Sequence, residues 1–358
     1  MKIGIYSKDV ESLHSNGCNQ QSIFVYELYN SIKNIECQII TDKRQKFLNT
    51  NAISIMEDWD KILEMDVLIC ISKKLGIEKY LKELKERNIK IIEYNCGNLY
   101  YIIQEDIIFG KHNYIASIEY YKYYDQFWVI PNYSKNKDFY QSYTGISDFR
   151  TIPYVWNSTI TDLWIEKNSP IFYDNKTCYK TDTKYIIICE PNIQITKNSI
   201  IPLLICNQLY KSGYKNIKVI CLCKLNNKAF ITFCNNLLIC RDGMVEFYDR
   251  LLFYNIIEQF KNKKLEIFIL SHHKDNPLNF LHLETLYLNY PLIHNTDEYK
   301  EVGYHYNNIN EAVQKLKYSF INHKKDLTEY QNKVGILLEK FSPYNKYNQE
   351  IYKKYLTK

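Results

Sequence analysis

Leu265–Asn295, LEIFILSHHKDNPLNFLHLETLYLNYPLIHN, is the stretch whose reading decides the fold. Its first six residues, Leu265 to Leu270, are an apolar run with β-branched members and read as a buried strand. A second apolar run, Pro291 to Ile293, closes the stretch, and proline is tolerated at the first residue of a strand. Between them Asn276-Pro277 has the form of a helix start, with asparagine as N-cap and proline at the first helical position. Strand, helix and strand make a βαβ unit with two parallel strands, the repeating grammar of an α/β sheet. Ser271, His272, His273, Lys274 and Asp275 then fall just beyond the carboxyl end of a strand. Open α/β sheets take ligands there, and a helix N-terminus aimed at the same spot favours an anion. Within the helix, Glu284 has Phe280 and Leu281 one turn before it and Tyr287 and Leu288 one turn after. A carboxylate on an apolar stripe loses hydration and needs a donor, from the protein or from a ligand, unless the stripe edge reaches water.

A strand ending in Ser, a helix carrying a Glu and a Pro-led strand together resemble the donor half of the GT-B glycosyltransferases. The resemblance implies an α/β fold of GT-B type: two Rossmann-like parallel-sheet domains facing a cleft, with a C-terminal helix crossing back to the first. In retaining members the Glu hydrogen-bonds the ribose of the nucleotide sugar, so the resemblance gives Glu284 that role and leans towards retention of configuration. An earlier Glu of that motif, eight positions upstream, is Asn276 here, and the Gly between helix and Pro is Asn289. The wording SHH-x-x-NPLNFLHLETLYLNYPLIHN is closer still to an uncharacterised glycosyltransferase-like family of unknown function. That family shares the NG-x-x-Q loop (Asn16 to Gln20) and the EPN segment (Glu190 to Asn192) of this chain.

At 358 residues the chain is long enough for two domains, each with its own core. A hydrophobic fraction of 46% with 24% charged residues is that of an ordinary globular protein. Heavy use of Tyr, Asn, Lys and Ile reflects an AT-rich genome more than a function. The net charge of +6 permits an anionic ligand or a peripheral membrane contact, but no dense basic stripe accompanies it, so nucleic acid is not an expected partner. The eleven cysteines sit mostly in apolar runs and read as reduced core residues. Cys221 and Cys223 are spaced CxC, not as the paired CxxC of a zinc site, and no metal is expected. The chain begins MKIGIY, a strand in place of a signal peptide, and no apolar run approaches the ~20 residues of a membrane span. A cytoplasmic location (host cytosol for a viral chain) is the expectation.

In chain order, Lys2–Tyr6 reads as the first strand, Ser7–Gln21 as a polar loop, and Ser22 to about Lys33 as an amphipathic helix. The loop is not GxGxxG, so a dinucleotide fingerprint is not supported. By resemblance Asn16, Gly17 and Gln20 lie against the donor phosphates or the acceptor, although an Asn-Gly pair also makes a purely structural turn. Further strands fit Cys37–Thr41, Val67–Ser72, Lys90–Asn95 and Gln126–Pro131, with a helix over Ile77–Arg87. Asn95, Gly97 and Asn98 form a polar loop at a carboxyl end, where they would line an acceptor site. For a general base that takes the acceptor proton, Asp106 and His14 are the candidates, each equally readable as a solvated surface residue. Tyr154–Trp156 would close the first sheet.

These patterns divide the chain into 1–156, 157–183, 184–340 and 341–358, which the resemblance implies are an acceptor domain, a connection, a donor domain and a C-terminal helix returning to the first domain. The second domain opens with the strand Lys184–Cys189, then Glu190-Pro191-Asn192, and a helix over Ile200–Tyr210 with Asn198 or Ser199 as cap. Lys197 precedes that N-terminus, where cation and helix dipole together suit a diphosphate. Retaining GT-B families have a Lys there and an Arg near the end of the preceding strand, where this chain has Glu190. Strands follow over Ile217–Leu222, Val245–Tyr248 and Tyr304–Tyr306. By resemblance the loop opening at Tyr248 contacts the base. Arg241 reaches a phosphate unless the Asp-Gly turn beside it is only a turn, and Asn295 sits at the ligand edge. His272 and His273 are candidates to donate to phosphate or leaving group, with core or capping roles as the alternative.

The function implied is a metal-independent glycosyltransferase. It would move a sugar from a nucleotide sugar, UDP- or GDP-linked, to a hydroxyl acceptor on a glycan, lipid or protein glycan, with no cofactor. A degenerate GT-B scaffold that binds nucleotide sugar or glycan, or a sugar-nucleotide epimerase on the same fold, would carry the same signals.

Overall fold

The apolar runs become the central strands of two parallel sheets. The computed structural model describes residues 1–9, 17–47, 50–71, 74–110, 114–168, 171–222, 225–276 and 279–356, so His14 and Asn16 lie outside the described residues. The chain divides into two units, Met1–Ile160 with Lys340–Lys358, and Thr161–Glu339.

The first unit runs β1 (Lys2–Tyr6), α1 (Gly17–Asn30), β2 (Glu36–Thr41), β3 (Gln45–Phe47), β4 (Thr50–Ser54), α2 (Trp59–Ile62), β5 (Val67–Ile71), α3 (Glu78–Glu86), β6 (Lys90–Asn95), α4 (Leu99–Phe109), β7 (Gln126–Val129), α5 (Lys137–Thr144) and β8 (Phe149–Thr151). Its sheet has the order β3-β4-β2-β1-β5-β6-β7-β8, parallel throughout except for the β3–β4 pair. β1 pairs with β2 on one side and β5 on the other, so strand order reverses at β1. All five residues of β5 are buried, as a strand covered on both faces requires.

The second unit follows from α6 (Thr159–Lys167), which bridges the division, through β9 (Lys184–Ile188), α7 (Ile200–Lys211), β10 (Ile217–Leu222), α8 (Lys228–Asn235), α9 (Leu238–Arg241), β11 (Val245–Tyr248), α10 (Phe253–Asn262), β12 (Glu266–Leu270), α11 (Phe280–Tyr287), β13 (Leu292–His294), β14 (Tyr304–His305) and α12 (Ile309–Asn322). Its order, β11-β10-β9-β12-β13-β14, is wholly parallel. This is the doubly wound 3-2-1-4-5-6 arrangement of a Rossmann-like sheet, and it reverses between β9 and β12. The chain then enters α13 (Leu327–Phe341), breaks at Ser342-Pro343, and ends in α14 (Lys346–Leu356) within the first unit. There Tyr352, fully buried, donates to the Pro153 carbonyl at 2.9 Å, and Gln349 donates to Ser31.

Several local readings are corrected. α1 starts at Gly17, not Ser22, and its first turns bury the polar side chains Asn19 to Ser22, with Asn19 and Ser22 bonded to Ser7 just after β1 and Gln21 to Tyr94 of β6. Tyr154–Trp156 is not a strand; the Trp156 amide instead donates to the Phe341 carbonyl at 2.8 Å, and β8 lies earlier. α4 is a helix whose apolar and polar residues show no clean period. α11 starts at Phe280 with Asn279 as its cap, its side chain accepting from the Leu281 amide, so Asn276 is not the cap. Asn289 stands in the left-handed region (φ 65°), which explains how it replaces the Gly expected there: asparagine is the side-chain-bearing residue that best tolerates that conformation. Among the described residues no helix is long and apolar enough to cross a membrane.

Candidate functional site

The reversal between β9 and β12 places two loops side by side at the carboxyl edge of the second sheet, the position where doubly wound sheets open a crevice. Glu190 follows β9 and Ser271–His273 follow β12. Glu190 is 1% exposed, and its Oε1 accepts from Ser271 Oγ at 2.5 Å and from the His272 amide at 3.0 Å. Its Oε2 lies 3.8 Å from His273 Nε2, with no closer donor among the described residues. Burial alone would raise this carboxyl. His273, Ser271 and the His272 amide outweigh that cost and hold it below the usual carboxylate range.

Donor counting extends the network inward. Ser271 spends its proton on Glu190, so His282 Nε2, 2.6 Å away, must be the donor to Ser271 Oγ. The other His282 nitrogen then accepts from the Tyr299 hydroxyl. His282 is fully buried, and burial keeps it well below its ordinary pKa, which matches the neutral ring this chain of bonds needs. Its ring stacks on His273 at 4.8 Å. His273, also buried, donates from Nδ1 to the Asn276 carbonyl at 3.0 Å. Its peptide is clamped by Asn295, which accepts from the His273 amide at 2.9 Å and donates to its carbonyl at 2.8 Å. His273 and Asn295 therefore hold the loop in shape, whereas His272 is only half-buried.

Lys197 comes to the same place. It forms an isolated antiparallel bridge with His273, and the Lys274 amide donates to the Thr196 carbonyl at 2.9 Å. The segment is shaped by Asn192, in the left-handed region (φ 54°), whose side chain accepts from the Ser199 amide at 2.7 Å. Ser199 is the N-cap of α7, so half-buried Lys197 stands two residues ahead of a helix N-terminus with its backbone on the histidine loop. Positive charge and oriented amides at one edge are what an anionic group binds.

The other donor candidates fall differently. Glu284 is buried on α11, and the internal donor that its local pattern left open is Tyr254, whose hydroxyl donates to it at 2.6 Å while sharing a 3.0 Å bond with Thr161. Trp164 stacks on that tyrosine at 5.4 Å. Tyr248 ends β11 at the carboxyl edge and donates to Glu246 at 2.7 Å. Arg241 ends α9 before β11 begins, so it lies at the opposite, amino edge, apart from Lys197 and His272. There Tyr210 binds the neighbouring Asp242 at 2.8 Å.

In the first unit, strand order reverses between β1 and β5; the buried side chains of Ser7 and the first turns of α1 there are uncharged, while Lys8 and Asp9 after β1 and half-buried Lys74 after β5 carry charge. Ser7, following β1, is bonded by Ser22 at 2.8 Å, and Gln21 donates to Tyr94 at 3.3 Å. Gly17 opens α1, and Gln20 is buried on it. Asn95 donates to the Gly97 carbonyl at 2.7 Å, closing the turn into α4, which Asn98 precedes. Asp106 lies on α4 and is 4% exposed, a packed position and not a loop carboxylate. Among the described residues no group of three or more His, Cys, Asp and Glu side chains is placed to hold a metal ion.

Sequence reasoning placed Ser271 at the ligand edge without a role of its own and did not single out His282, Tyr299 or Tyr306 as parts of this site. His282 and Tyr299 carry no motif; the one available signal was a histidine on an apolar stripe two residues before Glu284.

Solved structures share this architecture. The apo form of the lipopolysaccharide outer core galactosyltransferase WaaB matches with a TM-score of 0.58 at 14% identity, over 99% of this chain and 100% of that one. Anabaena Alr3699/HepE, solved with UDP-glucose, matches with 0.57 at 11% identity over 100% of both chains. Sucrose-phosphate synthase from Thermosynechococcus elongatus matches with 0.55 at 10% identity, again over 100% of both. At such identities the likeness shows the fold, which is α/β and GT-B-like. No curated protein matches the chain in sequence. A family match spans residues 3–356, and the chain belongs to that family, described as "Protein of unknown function (DUF2827)".

Proposed function

We propose that the chain is a glycosyltransferase that binds a nucleotide sugar, UDP- or GDP-linked, at the carboxyl edge of the second sheet and passes the sugar to a hydroxyl on a glycan, lipid or protein glycan. The observation that carries this reading is the junction of Lys197, the α7 N-terminus and the His272–His273 loop at the strand-order reversal. An ammonium and oriented amides there would hold a diphosphate and stabilise it as it departs, without a resident metal. Glu284 takes the ribose contact by resemblance, and the amide-rich edge of the first unit suits a hydroxylated acceptor. HepE, one of the fold's neighbours, was solved with UDP-glucose, which makes a UDP-sugar the first donor to try.

A second reading has its own observation. Glu190 occupies the place where the resemblance has an Arg, and three neighbours hold its carboxylate there. That arrangement favours a binding module that keeps nucleotide sugar or glycan without transferring it. Thermal stabilisation by a panel of nucleoside diphosphates and nucleotide sugars tests the site. A shift for one nucleotide family, lost in Lys197→Ala, supports it; no shift with any member rejects it. Release of UDP or GDP on adding acceptor glycans separates transferase from module.

A further inference from the structure

The two adjacent histidines have different fates, and the bonds around His272 determine its tautomer. Tyr306 is 1% exposed, and its hydroxyl donates to the Ser271 carbonyl at 2.8 Å. That hydroxyl has one proton, and a carbonyl only accepts, so the proton is committed. His272 Nδ1 lies 3.1 Å from the same oxygen. For that contact to be a hydrogen bond, Nδ1 must carry the hydrogen and the tyrosine oxygen must accept it. The rings lie nearly parallel, 19° apart. In the neutral imidazole a protonated Nδ1 leaves Nε2 bare, and Nε2 has no partner among the described residues.

We propose that Tyr306 is a positioning residue that locks His272 in the Nδ1-protonated tautomer, so that His272 Nε2 presents a lone pair at the carboxyl edge and accepts a hydrogen bond from a sugar hydroxyl of the ligand. This rests on the nucleotide-sugar reading above and alters it in one respect: His272 accepts from the sugar portion, and the phosphate is left to Lys197. The charged and titratable groups acting on the ring are Glu190 beyond β9, His273 on its own loop and Tyr306 beyond β14. Burial lowers the His272 pKa, Glu190 opposes that shift and His273 adds to it, so the ring is neutral at pH 7.5. His273 cannot serve in its place, because its ring is buried and its Nε2 already meets the Asn279 side-chain amide at 3.3 Å.

The test is two-bond 1H–15N correlation on 15N-histidine-labelled full-length protein at pH 7.5, with His272→Gln assigning the resonance. The expected pattern has protonated Nδ1 and bare Nε2 for His272, shifting towards the opposite tautomer in Tyr306→Phe. A bare Nδ1 in the wild type, or a tautomer unchanged in Tyr306→Phe, overturns the positioning role without reference to any ligand. Affinity for UDP-glucose and for inorganic diphosphate then reads the acceptor role. Tyr306→Phe and the donor-only His272→Lys are expected to weaken UDP-glucose about tenfold and to leave inorganic diphosphate unweakened. Tighter UDP-glucose binding by His272→Lys would overturn the acceptor role in favour of a phosphate contact. Wild-type protein that binds neither UDP-glucose nor any other member of the nucleotide panel would overturn the site reading itself, while the tautomer result would still stand or fall separately.

Discussion

The two sheets reverse strand order in the same way, yet the edges they present are chemically unlike. At the reversal of the first unit the buried polar groups are hydroxyls and amides, Ser7, Asn19, Gln20, Gln21 and Ser22. At the reversal of the second they are Glu190, Ser271 and His273, with half-buried Lys197 and His272 alongside. One topology thus offers two kinds of buried lining, hydroxyls and amides beside β1 and ionisable groups between β9 and β12. The lesson is that the fold supplies the position, while the few residues after each strand supply the chemistry.

The harshest way to break the contrast is Glu190→Ala. It leaves Ser271 Oγ and the His272 amide facing a buried void, and we expect a loss of about 3–5 kcal/mol. The loss would be read as a lower urea midpoint and faster hydrogen exchange in β9 and β12. Unchanged exchange there would mean that the carboxylate does not organise the second edge.

Acid should also discriminate between the units. All six histidines among the described residues lie in the second unit, and burial lowers His294 to about 3 and His323 to about 4. These are depressed folded-state values, so the stability they contribute is present above pH 6.5 and is lost as pH falls from 6.5 towards 3–4. By pH 5 the loss is about 2 kcal/mol for each. In the first unit Glu93 works in the other direction: burial raises it, Lys74 only partly offsets this, and its contribution fades as pH rises. Hydrogen exchange at pH 7 and pH 5 should show β12 and β13 loosening before β5 and β6; loosening in the reverse order would contradict the assignment.

A smaller effect concerns ligand binding. Lys197→Ala should weaken nucleoside diphosphate binding roughly 10- to 100-fold, the range of a charge-assisted hydrogen bond. Gln20→Ala, at the other edge, should leave it unchanged by calorimetry. Equal losses in both variants would erase the distinction between the edges. The mildest test is Asn289: replacement by Ala should cost about 1 kcal/mol for the left-handed backbone, and replacement by Gly should not.

The fold was largely legible because the central strands are uninterrupted apolar runs, such as Leu265–Leu270, that only a two-sided parallel sheet can bury. What escaped were segments without a period: α4, apolar on several sides, and the polar β3–β4 hairpin. At the site, the nearness of Lys197 to the SHH loop could be anticipated because both follow strands of one sheet. The inner chain through His282 and Tyr299 could not, because those residues meet only after α11 and the segment beyond β13 fold over the strand ends. Arg241 shows the converse error. A turn before a strand looks in sequence like a turn after one, yet the two lie at opposite edges.

The side chain of Asn295 has one further consequence. By pairing with both the amide and the carbonyl of His273 it acts as a surrogate peptide group, adding a rung between β12 and β13 beyond the last backbone pair. The His273 amide should therefore exchange with solvent deuterium on the slow timescale of a strand, although it lies in a loop. His272, the proposed ligand acceptor beside it, therefore hangs from a stiff support.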